Sequence, residues 1–195
     1  MIQLNELTAR AYKCACEHGF HEVEQYDSFY LALIMSEIGE AINADRHNKH
    51  ADLPKYVRTW IKFHEESNFW RLNAKQKKTW IKKLFEGVIK DTVEDELADI
   101  AIRILDLAGL REYDITVNAD IELAAADHAN ILFMQFCYTM FNTLSNDDQE
   151  TEEKLKYAML FLQCYCVNNN INLGKHIDLK MMYNEMRPRL NGKEY

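Results

Sequence analysis

The sequence predicts an all-α protein, a helical bundle of about four core helices. Apolar residues recur at helical spacing along most of the 195 residues. Helix breakers are scarce, because the chain has only six glycines and two prolines. Hydrophobic residues make up 48% of the chain, but no continuous apolar run is long enough to span a bilayer. We therefore expect one all-α domain over residues 1–195 with no membrane association.

The charge is unevenly distributed along the chain. The net charge is −8, yet the segment 46–90 contains twelve Lys or Arg residues against four Asp or Glu residues. A basic segment is thus inserted into an acidic protein. The overall negative charge argues against binding of a nucleic-acid polymer, whereas the basic segment permits a local contact with a small polyanion.

The N-terminus and the cysteines indicate a cytoplasmic protein. Residues 1–6 lack the basic start and the apolar block of a signal peptide. The five cysteines are odd in number and show neither zinc-knuckle nor thioredoxin-like spacing. We expect them to be reduced core residues in the cytoplasm.

The first two predicted helices cover the N-terminal quarter of the chain. An apolar stripe predicts one helix from Leu4 to Glu17. The dipeptide Asp27-Ser28 can cap a second, longer helix that continues to about Ala44. Gly39 lies inside this helix, where glycine costs about 1 kcal/mol relative to alanine. Either the close approach of a helix or ligand, or plain packing, would explain it.

Three further helices follow. Within the basic insertion, about 46–90, Pro54 is well placed as the first residue of a helix and a second short helix is predicted from Ala74 to Phe85. Thr92 then offers a cap, with Asp95 three residues later as in a capping box. The helix that begins there continues to Gly109.

The second half contains a possible degenerate repeat. Helices are predicted over 118–144 and 151–167, and residues 152–173 align without a gap on 94–115. In that register Lys154 and Tyr157 fall where Glu96 and Asp99 stand. The sequence is consistent with a helix-pair repeat over about 118–173 that has lost its acidic residues, or with chance similarity between amphipathic helices.

Two acidic pairs are the candidate site. Glu37 and Glu40 lie three residues apart on the second helix, and so do Glu96 and Asp99 on the fifth, so each pair occupies one helix face. If the two helices pack antiparallel, four carboxylates converge. Such charges repel unless a cation lies between them, and oxygen ligands suit Mg²⁺ or Mn²⁺.

A third motif lies near the C-terminus. Lys180, Asn184 and Arg187 have i, i+4, i+7 spacing, which places them on one face of a helix that Pro188 ends. A cation, an amide and a guanidinium on one stripe suit contacts with a phosphate or a base.

These motifs together resemble the MazG-like all-α nucleoside triphosphate pyrophosphatases, a superfamily that includes the dimeric dUTPases and phosphoribosyl-ATP pyrophosphatase. The resemblance covers roughly residues 25–45, 88–116 and 174–195. There are two departures. Ser36 stands where the family motif usually has the first of two adjacent glutamates, and the stretch between the acidic motifs is longer than is common. The residues that carry the resemblance are Glu37-x-x-Glu40, Glu96-Leu97-Ala98-Asp99, Lys180-x-x-x-Asn184-x-x-Arg187 and Asn191-Gly192-Lys193.

The resemblance implies a function. It implies Mg²⁺-dependent hydrolysis of a nucleoside triphosphate between the α and β phosphates, giving a monophosphate and pyrophosphate, by a homodimer. The metal would be held by the four carboxylates, with Glu37 or Glu40 also accepting the proton of the attacking water. Lys180, Asn184 and Arg187 would hold phosphate or nucleoside groups.

Three alternatives remain. The first is a catalytically inactive relative that binds nucleotides or acts as an interaction protein. The second is a pair of solvated acidic helix faces with no site. A di-iron bundle is disfavoured because no histidine lies three residues after a glutamate.

Overall fold

The computed structural model describes residues 4–65, 69–116, 124–125, 127–128 and 131–192, and the protein is all-helical over these ranges. Short 3₁₀ turns cover Phe69–Arg71 and Arg189–Gly192. None of the described helices is long and apolar enough to cross a bilayer. The α-helices of the described ranges are α1 (Leu4–Glu17), α2 (Asp27–Arg46), α3 (Leu53–Glu65), α4 (Ala74–Val88), α5 (Val93–Arg111), α6 (Phe133–Ser145), α7 (Thr151–Asn168) and α8 (Leu173–Asn184).

Helix α5 is the centre of the main core. It contacts α1, α2, α7 and α8, while α6 packs on α2 and α7. Apolar residues recur around most of its circumference, which is typical of a helix buried on several sides. Fully buried side chains of this core include Ile34, Ile38, Leu97, Ile100, Ile104, Phe136, Met140, Leu162 and Ile177.

Helices α2 and α5 are antiparallel. Arg111 at the end of α5 donates from Nε to Asp27 Oδ1 at the start of α2, at 2.7 Å. Near the middle of both helices, Arg103 Nε donates to Glu37 Oε1 at 3.1 Å. The antiparallel packing that the acidic pairs require is therefore present.

The sequence predicted the N-cap of α5 correctly but not that of α2. The predicted cap at Asp27-Ser28 is wrong, because Tyr26 holds the N-cap position without a side-chain bond and the Asp27 carboxylate pairs with Arg111 and the Tyr113 hydroxyl. The predicted Thr92 cap is confirmed, since its Oγ1 accepts from Asp95 N at 3.3 Å.

The basic insertion packs around a second, smaller core that it shares with α8. Helices α3 and α4 pack on each other, and α4 also contacts α8. Asp52 Oδ1 accepts from Lys55 N at 2.8 Å at the start of α3, and Pro54 is the second residue of that helix rather than the first. The buried residues of this core are Tyr56, Leu84, Phe85, Ile89, Leu179 and Tyr183.

The long helix predicted over 118–144 is wrong as one continuous helix, because residues 124–125 and 127 are helical but the helix is interrupted before Phe133. Helix α6 begins at Phe133, and Ile131 and Leu132 are not helical. The Gln135 side chain accepts from Leu132 N at 3.2 Å and so satisfies a backbone donor at a true helix start. Residues 117–123, 126 and 129–130 lie outside the described residues. The helix-pair repeat stays a prediction. The two residues that align with Glu96 and Asp99 in that repeat differ in burial, since Lys154 is buried and Tyr157 is exposed.

Two helix glycines have opposite surroundings. A Cβ at Gly109 would lie 2.7 Å from Tyr12 Cβ and 3.3 Å from Thr8 O, so α1 crosses α5 closely there. A Cβ at Gly39 would meet no atom of the described residues within 4 Å, so neither the close approach of a helix nor packing explains that glycine.

We expect Gly109→Ala to lower the free energy of unfolding by about 1–3 kcal/mol, because the helices must separate. Gly39→Ala is the matched control and should raise it by about 1 kcal/mol through helix propensity alone. Urea unfolding followed by circular dichroism measures both. Equal effects of the same sign would contradict the close crossing.

Candidate functional site

One cavity of about 180 Å³ lies where α1, α2, α5 and α8 meet. The three sequence motifs come from segments far apart in the chain, yet all of their candidate residues line this cavity. These residues are Glu37, Glu40, Glu96, Asp99, Lys180, Asn184 and Arg187.

Three of the four predicted metal ligands form a tight group. Glu37, Glu96 and Asp99 each offer an oxygen, and these atoms lie within 4.8 Å of one another. Glu37 and Glu96 are buried, whereas the Asp99 side chain is 19% exposed. Glu40 is exposed and lines the cavity outside this group. The oxygen ligands and their convergence fit a hard divalent cation.

Lys180 provides a positive charge inside the acidic cluster. Its Nζ lies 2.6 Å from Asp99 Oδ2 and 2.8 Å from Asp95 Oδ2. Both Lys180 and Asp95 are buried. Lys180 was predicted to contact a phosphate, but in this structure its ammonium is the counter-ion of two carboxylates.

Asp95 extends the acidic cluster beyond the predicted ligands. Its Oδ1 is buried and has no hydrogen-bond partner within the described ranges. Oxygens of Asp91, Asp95 and Glu96 also lie within 4.8 Å of one another. The sequence had given Asp95 only a capping role, and its carboxylate accepts from Asp91 N at 3.0 Å rather than from the N-cap residue.

Burial and neighbouring acids raise the pKa values of the carboxyl groups in the cluster. Burial, and then the charge of Asp99, raises the pKa of Glu96 to about 8. Burial and Asp99 also raise the pKa of Glu37. Burial raises the pKa of Asp95 to about 6 although Lys180 opposes it. Burial acts to lower the pKa of Lys180, but Asp99 and Asp95 outweigh it and raise that pKa. Lys180 alone does not neutralise these acids.

We expect the metal-free protein to lose stability as the pH rises from about 7 to 8. The pKa of Glu96 rises on folding from 4.5 to about 8, so the folded state binds more protons than the unfolded state in this window. Its contribution is fully present below pH 4.5 and is lost as the pH passes the folded pKa. The buried His176, whose pKa is lowered, acts at lower pH and with the opposite sign.

Melting temperatures in EDTA measure this slope, and Glu96→Gln is the variant that should flatten it. An unchanged slope in that variant would contradict the assignment to Glu96.

The C-terminal motif is only partly helical. Helix α8 ends at Asn184, and Arg187 follows in a turn in which its N–H donates to Asn184 O at 2.9 Å. Asn184 Oδ1 is buried without a hydrogen-bond partner among the residues described. The Arg187 guanidinium lies 5.8 Å from the Tyr183 ring centroid.

Sequence reasoning missed several residues of this cavity. Arg103 and Asp106 line it from the same face of α5 as Glu96 and Asp99. They stand seven and ten residues after Glu96, so helical periodicity would have found them. Phe20 also lines the cavity, but it follows α1 in a connecting segment, and no sequence pattern indicated it.

Ser36 lies away from the cavity. It is exposed, and its hydroxyl donates to Leu33 O of the same helix at 2.7 Å. The departure from the family motif at this position thus lies outside the residues that line the cavity.

Comparisons of the chain with models of protein families, with curated proteins and with solved structures find no match. The resemblance to MazG-like pyrophosphatases consequently rests on the motif residues, and membership of that superfamily stays a prediction.

Proposed function

We propose that the protein hydrolyses a nucleoside triphosphate to the monophosphate and pyrophosphate with Mg²⁺, or alternatively Mn²⁺. The supporting observation is that the seven motif residues line one cavity, with three carboxylates close enough to share a cation. A cavity that combines converging carboxylates with a lysine, an amide and an arginine suits a metal-bound polyanion better than a free anion or a free cation.

Glu37, Glu96 and Asp99 would hold the metal, and Glu40 would join them from the edge of the cavity. When bound, the metal would neutralise phosphate charge and lower the pKa of the attacking water. The chain's own contribution is to fix the oxygens in place, because Arg103 holds Glu37 Oε1 and the packing of α2 on α5 sets the distance between the acids.

The proton of the water would pass to Glu37 or Glu40. Burial raises the pKa of Glu37, which makes its carboxylate a stronger base. Glu40 is exposed and has no ion pair in the described structure, so a water can approach it freely. Both residues remain candidates for this role.

Lys180 would contribute to the site both without substrate and with a phosphate bound. An ammonium has three N–H donors, and two of them face Asp95 and Asp99. The third remains for a phosphate oxygen, so Lys180 can contact the substrate without leaving the acids. Asn184 and Arg187, at the same end of α8, would contact the nucleotide beside it.

We extend the proposal to a cytoplasmic homodimer that acts on free nucleotides rather than on nucleic-acid polymers. The homodimer rests on the resemblance. The exclusion of nucleic-acid polymers rests on the overall negative charge. Analytical ultracentrifugation tests the dimer, and a single species at monomer mass would reject it.

A catalytically inactive nucleotide-binding protein is the second candidate. The observation that favours it is Lys180, whose ammonium already occupies a position between two carboxylates of the cluster. A permanent counter-ion there would permit nucleotide binding without a metal.

One experiment separates the two candidates. The protein is incubated with Mg²⁺ and a panel of nucleoside triphosphates, and pyrophosphate, orthophosphate and monophosphate are measured, with EDTA as the blank. Pyrophosphate and monophosphate in equal amounts support the proposal. Orthophosphate as the product would reject the cleavage position, and nucleotide binding without any turnover would support the inactive candidate.

A further inference from the structure

Asp106 is a buried carboxylate that the metal group does not use. It is 6% exposed, and it lines the cavity on the same face of α5 as Asp99 but seven residues further on. At 1.5 Å per residue this places it about 10 Å along the helix from Asp99, too far to share a metal ligand set. A buried acid in such a place needs a partner.

The described residues supply a hydrogen-bond partner for one of the two oxygens of Asp106. His21 Nε2 lies 2.8 Å from Asp106 Oδ1. An ionised carboxylate is acceptor-only, so Nε2 carries the proton, and Nδ1 is then able to accept from the Tyr30 hydroxyl at 3.3 Å. Within the described ranges no hydrogen bond reaches Asp106 Oδ2. The network thus fixes one oxygen of Asp106, which lines the cavity, and leaves the other without a hydrogen bond from the described residues.

The cavity changes character along α5. Its carboxylate group lies near the start of the helix, whereas the wall near Asp106 includes apolar side chains of α1 and the ring of Phe20. The guanidinium of Arg103 lies between the two ends, 5.7 Å from the Phe20 ring centroid. Apolar side chains with one placed polar group are typical of the part of a site that orients a flat ligand. The apolar lining residues from α1, the segment after it and α5 are Ala11, Ala15, Phe20 and Ile102, and Cys14 and His18 line the cavity beside them.

We propose that Asp106 is a specificity-determining residue that accepts a hydrogen bond from an amino group of the nucleobase. This inference rests on the proposed function, because the metal end must hold the phosphates for the base to lie at the Asp106 end. The substrate class would be nucleotides with amino-bearing bases. A carbonyl in place of the amino group would set two acceptors against each other and leave Asp106 Oδ2 without a donor.

Binding of nucleoside monophosphates tests the inference without requiring turnover. Titration calorimetry with Mg²⁺ compares bases that differ by one amino group: cytosine with uracil, and adenine and guanine with hypoxanthine. We expect the amino-bearing member of at least one pair to bind about 10- to 100-fold more tightly, as for a hydrogen bond to a buried charge. Equal affinities in all three pairs, or no binding of any monophosphate, would overturn it.

Asp106→Asn assigns any preference to the carboxylate. The amide offers a donor as well as an acceptor, so the preference should shrink or reverse, while the control variant Asp148→Asn, at an exposed turn, should retain it. Retention of the preference in Asp106→Asn would overturn the inference. If that variant fails to fold, equal affinities in the wild-type pairs would still overturn the inference. Cytidine monophosphate is also compared with deoxycytidine monophosphate, which lacks the 2′-hydroxyl. An affinity that depends on this hydroxyl and not on the amino group of the base would also overturn the inference.

The outcome is separable from that of the proposed function. Loss of the amino preference with intact pyrophosphate release would reject only Asp106 as the base contact. An amino preference without pyrophosphate release would reject hydrolysis and retain the nucleotide site.

Discussion

Glu96→Gln is expected to lower the rate of pyrophosphate release by about 1000-fold, as for the loss of one fixed electrostatic group in an active site. Glu96 belongs to the group of three acids whose oxygens lie within 4.8 Å of one another. Glutamine keeps the shape of the side chain but removes the charge and one of the two metal-binding oxygens. The initial rate of pyrophosphate release at saturating Mg²⁺ measures the effect.

The melting temperature of Glu96→Gln distinguishes loss of a metal ligand from unfolding of the variant. The pKa of Glu96 is raised to about 8, so a neutral glutamine at this position should not destabilise the metal-free protein at neutral pH. We therefore expect the melting temperature in EDTA to be retained or raised. Glu153→Gln, at an exposed position of α7, is the matched control and should leave the rate unchanged. A Glu96→Gln rate within tenfold of the wild type would contradict a metal ligand at this position.

Lys180→Met is expected to destabilise the metal-free protein by about 3–5 kcal/mol, the usual cost of removing one partner of a buried ion pair. Methionine approximates the aliphatic length of lysine and retains packing, but Asp95 and Asp99 lose the ammonium that lies within 2.8 Å of each. Urea unfolding in EDTA measures the loss.

Mg²⁺ should restore much of this stability. A divalent cation bound by the folded state alone stabilises that state in proportion to its occupancy. Since the variant lacks its internal cation, the gain in unfolding free energy on adding excess Mg²⁺ should be larger in Lys180→Met than in the wild type. Lys156→Met, which removes a half-buried surface pair with Glu152, is the control and should change neither quantity appreciably. An equal Mg²⁺ gain in wild type and Lys180→Met would show that the metal binds elsewhere.

Some features of the site followed from local spacing alone. Glu96 and Asp99 had to share a helix face, because three residues are close to one helical turn. Thr92 caps α5 as predicted, since the bond from Asp95 N to the Thr92 hydroxyl lies within one turn of chain. The start of α2 was not predictable in this way, because Asp27 pairs with Arg111, 84 residues later. A long-range partner of this kind overrides a local preference.

The sequence by itself determined that the chain is helical and that its acidic pairs lie on helix faces, because periodicity and spacing are properties of the local backbone. Only the tertiary structure decided which charges meet. It brought Glu37 to Glu96 and Asp99, left Glu40 at the edge, placed the Lys180 ammonium between Asp95 and Asp99, and set Asp106 against His21. The physical reason is that interactions between charges depend on distance through space and on burial, and both are fixed by how helices pack.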